Sequence, residues 1–167
     1  GEAAALLSSI IASDPSNDAA HYYMGLCHLY TRNIKEAQAS LKKAAELDPS
    51  NYWYKDRLAL AYSMTGEDDL TIATYEELLK EFPKKNEIYF SLVNLYLKQN
   101  QFDKAVMTYQ KILDFEPQIP ASMMPQYTTM KGSVNYYIGD VYKSTGDYKR
   151  AEKEYKAAEK LYKKAIS

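Results

Sequence analysis

Cysteine is nearly absent: Cys27 stands alone in 167 residues, which excludes an internal disulfide and leaves the redox compartment open. The only histidines, His21 and His28, fall seven residues apart and lack the third ligand that a metal site needs, so no metal is expected. No apolar run approaches the roughly 18 residues of a membrane-spanning helix. Neither sign of charge prevails, with 21 Lys+Arg against 22 Asp+Glu and a net charge of −1. The basic residues form no phosphate-tracking stripe, so no nucleic-acid partner is expected. Glycine-rich phosphate loops, G-x-G-x-x-G and H-E-x-x-H are all missing. Cys27 and His28 are neighbours in sequence, but successive side chains on a helix point apart. Nothing here forms a catalytic constellation, and the reading is of a protein that is not an enzyme and needs no cofactor.

Tyrosine and regularly placed proline are what the chain has instead. There are 17 tyrosines, and Pro15, Pro49, Pro83 and Pro117 follow one another at intervals of 34, 34 and 34 residues. The clearest stretch is Asn86 to Pro117. Tyr89, Leu92, Val93 and Tyr96 mark one face of a first helix, and Ala105, Val106, Tyr109 and Ile112 mark a second. Asn100 breaks the pattern between them, a residue that tolerates the left-handed backbone of a tight helix exit. Gly66 and Gly146 hold the same place in other units. Ala3, Ala37, Thr71, Ala105 and Ala151 also coincide, as do Tyr62, Tyr96 and Tyr142, and again Tyr75, Tyr109 and Tyr155. Internal repetition at this period means a stack of helical hairpins.

The pattern resembles the tetratricopeptide repeat family, through Met24-Gly25, Ala37, Leu41, Ala44 and Pro49 in one unit. Leu58-Ala59, Tyr62, Gly66, Tyr75 and Pro83 carry it in the next, and Ile138-Gly139, Tyr142, Gly146, Ala151, Tyr155 and Ala158 in the last. The resemblance implies an all-α, right-handed α-solenoid of antiparallel helix pairs in a single domain over residues 1–167. A half repeat over 1–17 precedes repeats at 18–51, 52–85 and 86–119. An insertion over 120–131 leads to the last repeat and end helix at 132–167. His21 and His28 depart from the large apolar groups usual at their places, and Thr71 replaces a small alanine. The second helix near 68–80 is therefore expected to pack least well.

Helices are expected near 2–12, 18–30, 34–46, 52–64, 68–80, 86–98 and 102–114. The spacing from Ala105 to Ala151 is 46 residues, 12 beyond one period. Met130, Val134, Tyr137 and Ile138 continue a helical face through this excess, which predicts one long helix from about Ser122 to Lys143. The last helix, from Tyr148 to about Ile166, is polar on its outer side and suits an end cap. Leu6, Leu7 and Ile10 should pack the first helix forward, leaving an apolar flank. Asp-Pro-Ser-Asn at 14–17 and 48–51 reads as a turn ending in an N-cap. The chain opens midway through a repeat, behind a lone Gly1. It reads as a piece of a longer protein, soluble in cytoplasm or periplasm, whose leader, if there is one, lies outside these residues.

In the family, first helices line a concave surface that grips partner polypeptides. The resemblance carries that role to Tyr22, Leu26, Leu29 and Tyr30, then to Trp53, Asp56, Arg57, Leu60 and Met64. It continues with Phe90, Asn94, Leu97 and Lys98, and ends with Tyr136 and Asp140. Trp, Tyr and Arg are the types enriched in binding hot spots, and Asn94 offers both a donor and an acceptor to a ligand backbone. Tyr22 and Tyr136 also fit a framework role, packed between neighbouring first helices. A subset of the family that clamps C-terminal carboxylates is matched at Asn94 alone. The expected function is a non-catalytic interaction scaffold for a peptide or helix of a protein partner. The alternatives are a self-assembly module with weak homo-oligomers through the terminal helices, and a recruiting domain of a larger enzyme complex.

Overall fold

Proline follows the end of three helices in the computed structural model, which describes residues 1–115 and 118–167. Asp14, Asp48 and Phe82 each precede a proline and are driven out of helical geometry, with φ near −138, −131 and −125°. Pro117, expected to stop the fourth second helix, lies outside the described residues. The chain divides into two compact units, Gly1–Lys85 and Asn86–Ser167.

The first unit holds α1 (Glu2–Ser13), α2 (Asp18–Tyr30), α3 (Ile34–Leu47), α4 (Tyr52–Met64) and α5 (Asp68–Glu81). Asn17 and Asn51 cap the helices that follow, accepting from the backbone N–H of Ala20 at 2.9 Å and of Trp53 at 3.1 Å. In both Asp-Pro-Ser-Asn turns the serine hydroxyl and N–H donate to the aspartate, Ser16 to Asp14 and Ser50 to Asp48. Helix α3 lies against α2 and α4. Ala37, Leu41, Leu58 and Ala61 form their shared core, flanked by Tyr22, Leu29, Ile34 and Tyr62.

One expectation about this unit is corrected. Leu6 does not pack forward; it is 64% exposed, while Leu7 and Ile10 are half-buried. At the alanine place of α5 the substitution leaves no gap. Thr71 is only 1% exposed, and its hydroxyl donates to Glu67 O at 3.0 Å. A threonine fits the small-residue place because that bond satisfies its polar atom within its own helix.

The second unit holds α6 (Asn86–Lys98), α7 (Phe102–Asp114), α8 (Met124–Ser144) and α9 (Tyr148–Ile166). Ile88, Leu92, Val93 and Tyr96 of α6 are buried, as are Ala105, Tyr109 and Ile112 of α7. The expected long helix is present as α8, entered through a 3-10 turn at Ala121–Met123 with Pro125 in its first turn. Its extra turns are matched by α9, which is 19 residues long. A Cβ on Gly132 would lie 2.8 Å from the Tyr162 ring, and Tyr162 donates to Ser133 Oγ at 3.1 Å. The insertion thus lengthens the first arm of the last hairpin, and α9 runs on to pack against it. Tyr127 fixes the entry to α8 by donating to Phe115 O.

Four turns between first and second helices share one backbone geometry. Arg32, Gly66, Asn100 and Gly146 have φ of 61, 71, 57 and 83°. Behind each, the next N–H bonds five residues back: Asn33 to His28, Glu67 to Tyr62, Gln101 to Tyr96 and Asp147 to Tyr142. This is the Schellman exit, which requires a left-handed residue. Among the described residues no helix is long and apolar enough to cross a membrane.

Candidate functional site

Helix α4 separates its side chains by face. Tyr54, Leu58, Ala59 and Ala61 are buried, whereas Trp53, Leu60 and Met64 stay exposed on the other side, Trp53 by 53%. The Arg57 guanidinium lies 5.8 Å from the centre of the Trp53 ring, within cation–π range. Asp56 accepts from Tyr52 Oη at 3.3 Å and approaches Arg57 Nε at 3.9 Å. On α2, Tyr30 is 91% exposed and Leu26 half-buried. Leu29 and Tyr22 pack against the core, with the Tyr22 ring 4.9 Å from that of Tyr54. Tyr54 in turn donates to Asp18 at 2.6 Å, and burial together with that bond pushes its phenol well above the ordinary range.

In the second unit, Phe90 and Leu97 are half-buried on α6, while Asn94 and Lys98 are exposed. Tyr136 on α8 is exposed and stacks obliquely on Tyr155 of α9 at 5.1 Å. Tyr155 donates to Asp140 at 2.7 Å, and that hydrogen bond pushes its pKa up to about 12. Asp140 is thereby a fixed acceptor on an exposed face. The expected residues so fall into two sets, one per unit.

Polar groups inside the hairpins escaped the sequence reading. Lys55 is 5% exposed, between Glu77 and Glu81, each at 2.9 Å. Burial opposes its charge, but the bonds to Glu81 and Glu77 outweigh that and its pKa rises. Asn135, at the matching place in the last repeat, donates to Glu154 at 2.8 Å. Gln38 is buried and its amide reaches Ala61 O, Thr65 Oγ1 and Glu67 at 3.1, 2.9 and 2.7 Å. His21 pairs with Pro15 O at 2.9 Å. A lone polar residue inside an apolar pattern is the signal that the sequence offers for such groups.

Helical hairpins closed by the same turn and packed through matching residues define a helical-repeat protein. Three tetratricopeptide repeat profiles match residues 18–51, 56–85, and 87–119 with 133–165. The chain belongs to the tetratricopeptide repeat family. It is 27% identical over 111 residues to the human mitochondrial import receptor subunit TOM70, covering 62% of this chain and 18% of that relative's length. A crystal structure of MamA superposes with a TM-score of 0.68 at 22% identity, over 96% of this chain and 86% of that one. MamA of Desulfovibrio magneticus RS-1 gives 0.66 at 17% identity, over 99% and 87%. PilF of Pseudomonas aeruginosa gives 0.55 at 19% identity, over 90% and 63%. At these identities the likeness shows the fold, an all-α solenoid of antiparallel helix pairs.

Proposed function

We propose that the chain is a non-catalytic scaffold whose first helices form a concave groove that binds a peptide or helix of a partner protein. The observation that supports this most directly is on α4, where Trp53, Leu60 and Met64 remain exposed beside a fully packed inner face. Large apolar groups held by a rigid helix lose little entropy when a partner covers them. Arg57, Asn94, Lys98 and Asp140 supply the polar contacts that fix direction and register. The balanced charge of −1 supports a protein partner over a nucleic acid.

Trp53 is the only tryptophan, so its emission reports binding without a label. Peptides selected on the intact chain should shift that emission. Trp53→Ala combined with Phe90→Ala should weaken capture at least tenfold, leaving the circular dichroism and the mass in solution unchanged. A double variant that binds as before sinks the groove reading, and one that instead dissolves an oligomer supports self-assembly.

A further inference from the structure

In the first unit the turn between α4 and α5 is tied to α3. Gln38 Nε2 donates to Ala61 O at 3.1 Å, to Thr65 Oγ1 at 2.9 Å and to Glu67 Oε2 at 2.7 Å. Lys35 Nζ reaches the same carboxylate at 3.0 Å. One amide and one ammonium thus satisfy the acceptors of that turn. Ala37 matches Ala105 in the repeat and Thr71 matches Ala151, so the same places can be read in the second unit. Ala61, Thr65 and Glu67 become Val141, Thr145 and Asp147, which keeps a carbonyl, a hydroxyl and a carboxylate. Lys35 and Gln38 become Asp103 and Val106, which removes both donors. A cavity of about 450 Å³ opens there, and Asp103, Val106, Val141, Thr145 and Asp147 all line it.

The acceptors of this cavity are only partly used. Val141 O is taken by Ser144 Oγ at 2.7 Å. Thr145 gives its hydroxyl hydrogen to Tyr142 O at 3.0 Å and keeps its lone pairs. Asp147 accepts from Arg150 N at 3.0 Å, and Arg150 Nε lies 3.4 Å from its other oxygen. Each carboxylate oxygen can accept twice, so Asp147 has room for more. The Arg150 guanidinium lies over the Tyr142 ring and the Lys104 ammonium over the Tyr96 ring, both at 5.5 Å. Asp103 is exposed and has no cation of its own among the described residues.

We infer that this cavity takes a guanidinium on an aliphatic stem, as an arginine residue or free arginine carries. That one group supplies what Lys35 and Gln38 supply together: a positive charge, and several N–H donors fixed in one plane. Phe102 and Val106 give the stem an apolar wall. Among the described residues no three His, Cys, Asp or Glu side chains gather closely enough for a metal ion, which favours an organic cation. None of the proposed groove residues is among those that line the cavity, so this site stands apart from the proposed function.

Two probes are titrated into the intact chain and followed by amide NMR shifts: N-acetylarginine amide, which mimics a residue within a polypeptide, and free arginine. Shifts should gather at Asp103, Val106, Thr145 and Asp147, and the probe that binds more tightly identifies the source. The citrulline analogue keeps the shape and loses the charge, and should bind about tenfold more weakly. Asp103→Asn, at an exposed position, should weaken arginine binding about tenfold with the fold intact. Asp103→Lys with Val106→Gln writes the first unit's donors into the second, and should abolish binding while raising the thermal midpoint. The Trp53→Ala, Phe90→Ala variant should bind as the parent does. Failure of both probes, shifts confined to other residues, or equal binding of the citrulline analogue overturns the inference. So does undiminished binding to Asp103→Asn or to the Asp103→Lys, Val106→Gln variant.

Discussion

A Cβ added to Gly25 would lie 2.6 Å from Leu41 Cγ and 2.8 Å from its Cδ2. Leu41 is fully buried, so it has nowhere to retreat. The absence of a side chain at Gly25 is what lets α2 and α3 approach. An alanine there gains about 1 kcal/mol of helix propensity and meets an overpacking cost of about 1–3 kcal/mol. Gly25→Ala should therefore lower the urea midpoint, by a net of about 1 kcal/mol, and a raised midpoint would refute the contact.

Lys55 should tolerate loss of its charge better than loss of its partners. Lys55→Met removes a buried ion whose dehydration opposed folding, and should leave stability within about 1 kcal/mol. Glu77→Gln with Glu81→Gln strands the ammonium. A fully buried pair would lose about 3–5 kcal/mol, but both carboxylates are partly exposed, so about 1–2 kcal/mol is expected. Chemical denaturation of the two variants side by side gives the order.

Glu67 carries an acid-sensitive contribution. Bonds from Thr65, Lys35 and Gln38 hold its pKa below the ordinary 4.5. The folded state therefore binds this proton less readily than the unfolded chain. The stabilisation is present above that value and is lost as the pH falls through the depressed pKa. Glu67→Gln should flatten the fall in the denaturation midpoint between about pH 5 and about pH 3. An unchanged slope would assign the fall to other carboxylates.

Arg32 should be replaceable to advantage. It holds a φ of 61° where two of the other three turns use glycine. A non-glycine residue there costs about 1–2 kcal/mol, offset in part by the unfolded-state entropy that glycine adds. Arg32→Gly should raise the thermal midpoint, by about 0.5–1 kcal/mol in stability. Gly66→Arg, the reverse exchange one repeat on, should lower it.

The sequence displayed this fold because the repeat is written in residues with strict backbone demands. Pro15, Pro49 and Pro83 end the helices before them, and Gly66, Asn100 and Gly146 announce a left-handed turn. Arg32 sits in the same geometry with no such announcement, in a turn closed by the Asn33 N–H bond to His28 O. The site was less legible. A tyrosine on a first helix looks the same in sequence whether it packs on Tyr54, as Tyr22 does, or stands in solvent, as Tyr30 does. Sorting the two requires knowing how deeply each helix is set. Leu6 was misplaced for a related reason: its face is apolar, and only coordinates show that no neighbour covers it.

The polar residue inside two of the hairpins also makes those hairpins non-interchangeable. Lys55 answers to acids on α5, and Asn135 to Glu154 on α9. A chimera that joined α8 to α5 would set the neutral Asn135 against Glu77 and Glu81 and leave both carboxylates without their cation. These two first arms therefore recognise their own second arms, which helps keep look-alike modules in order while the chain folds.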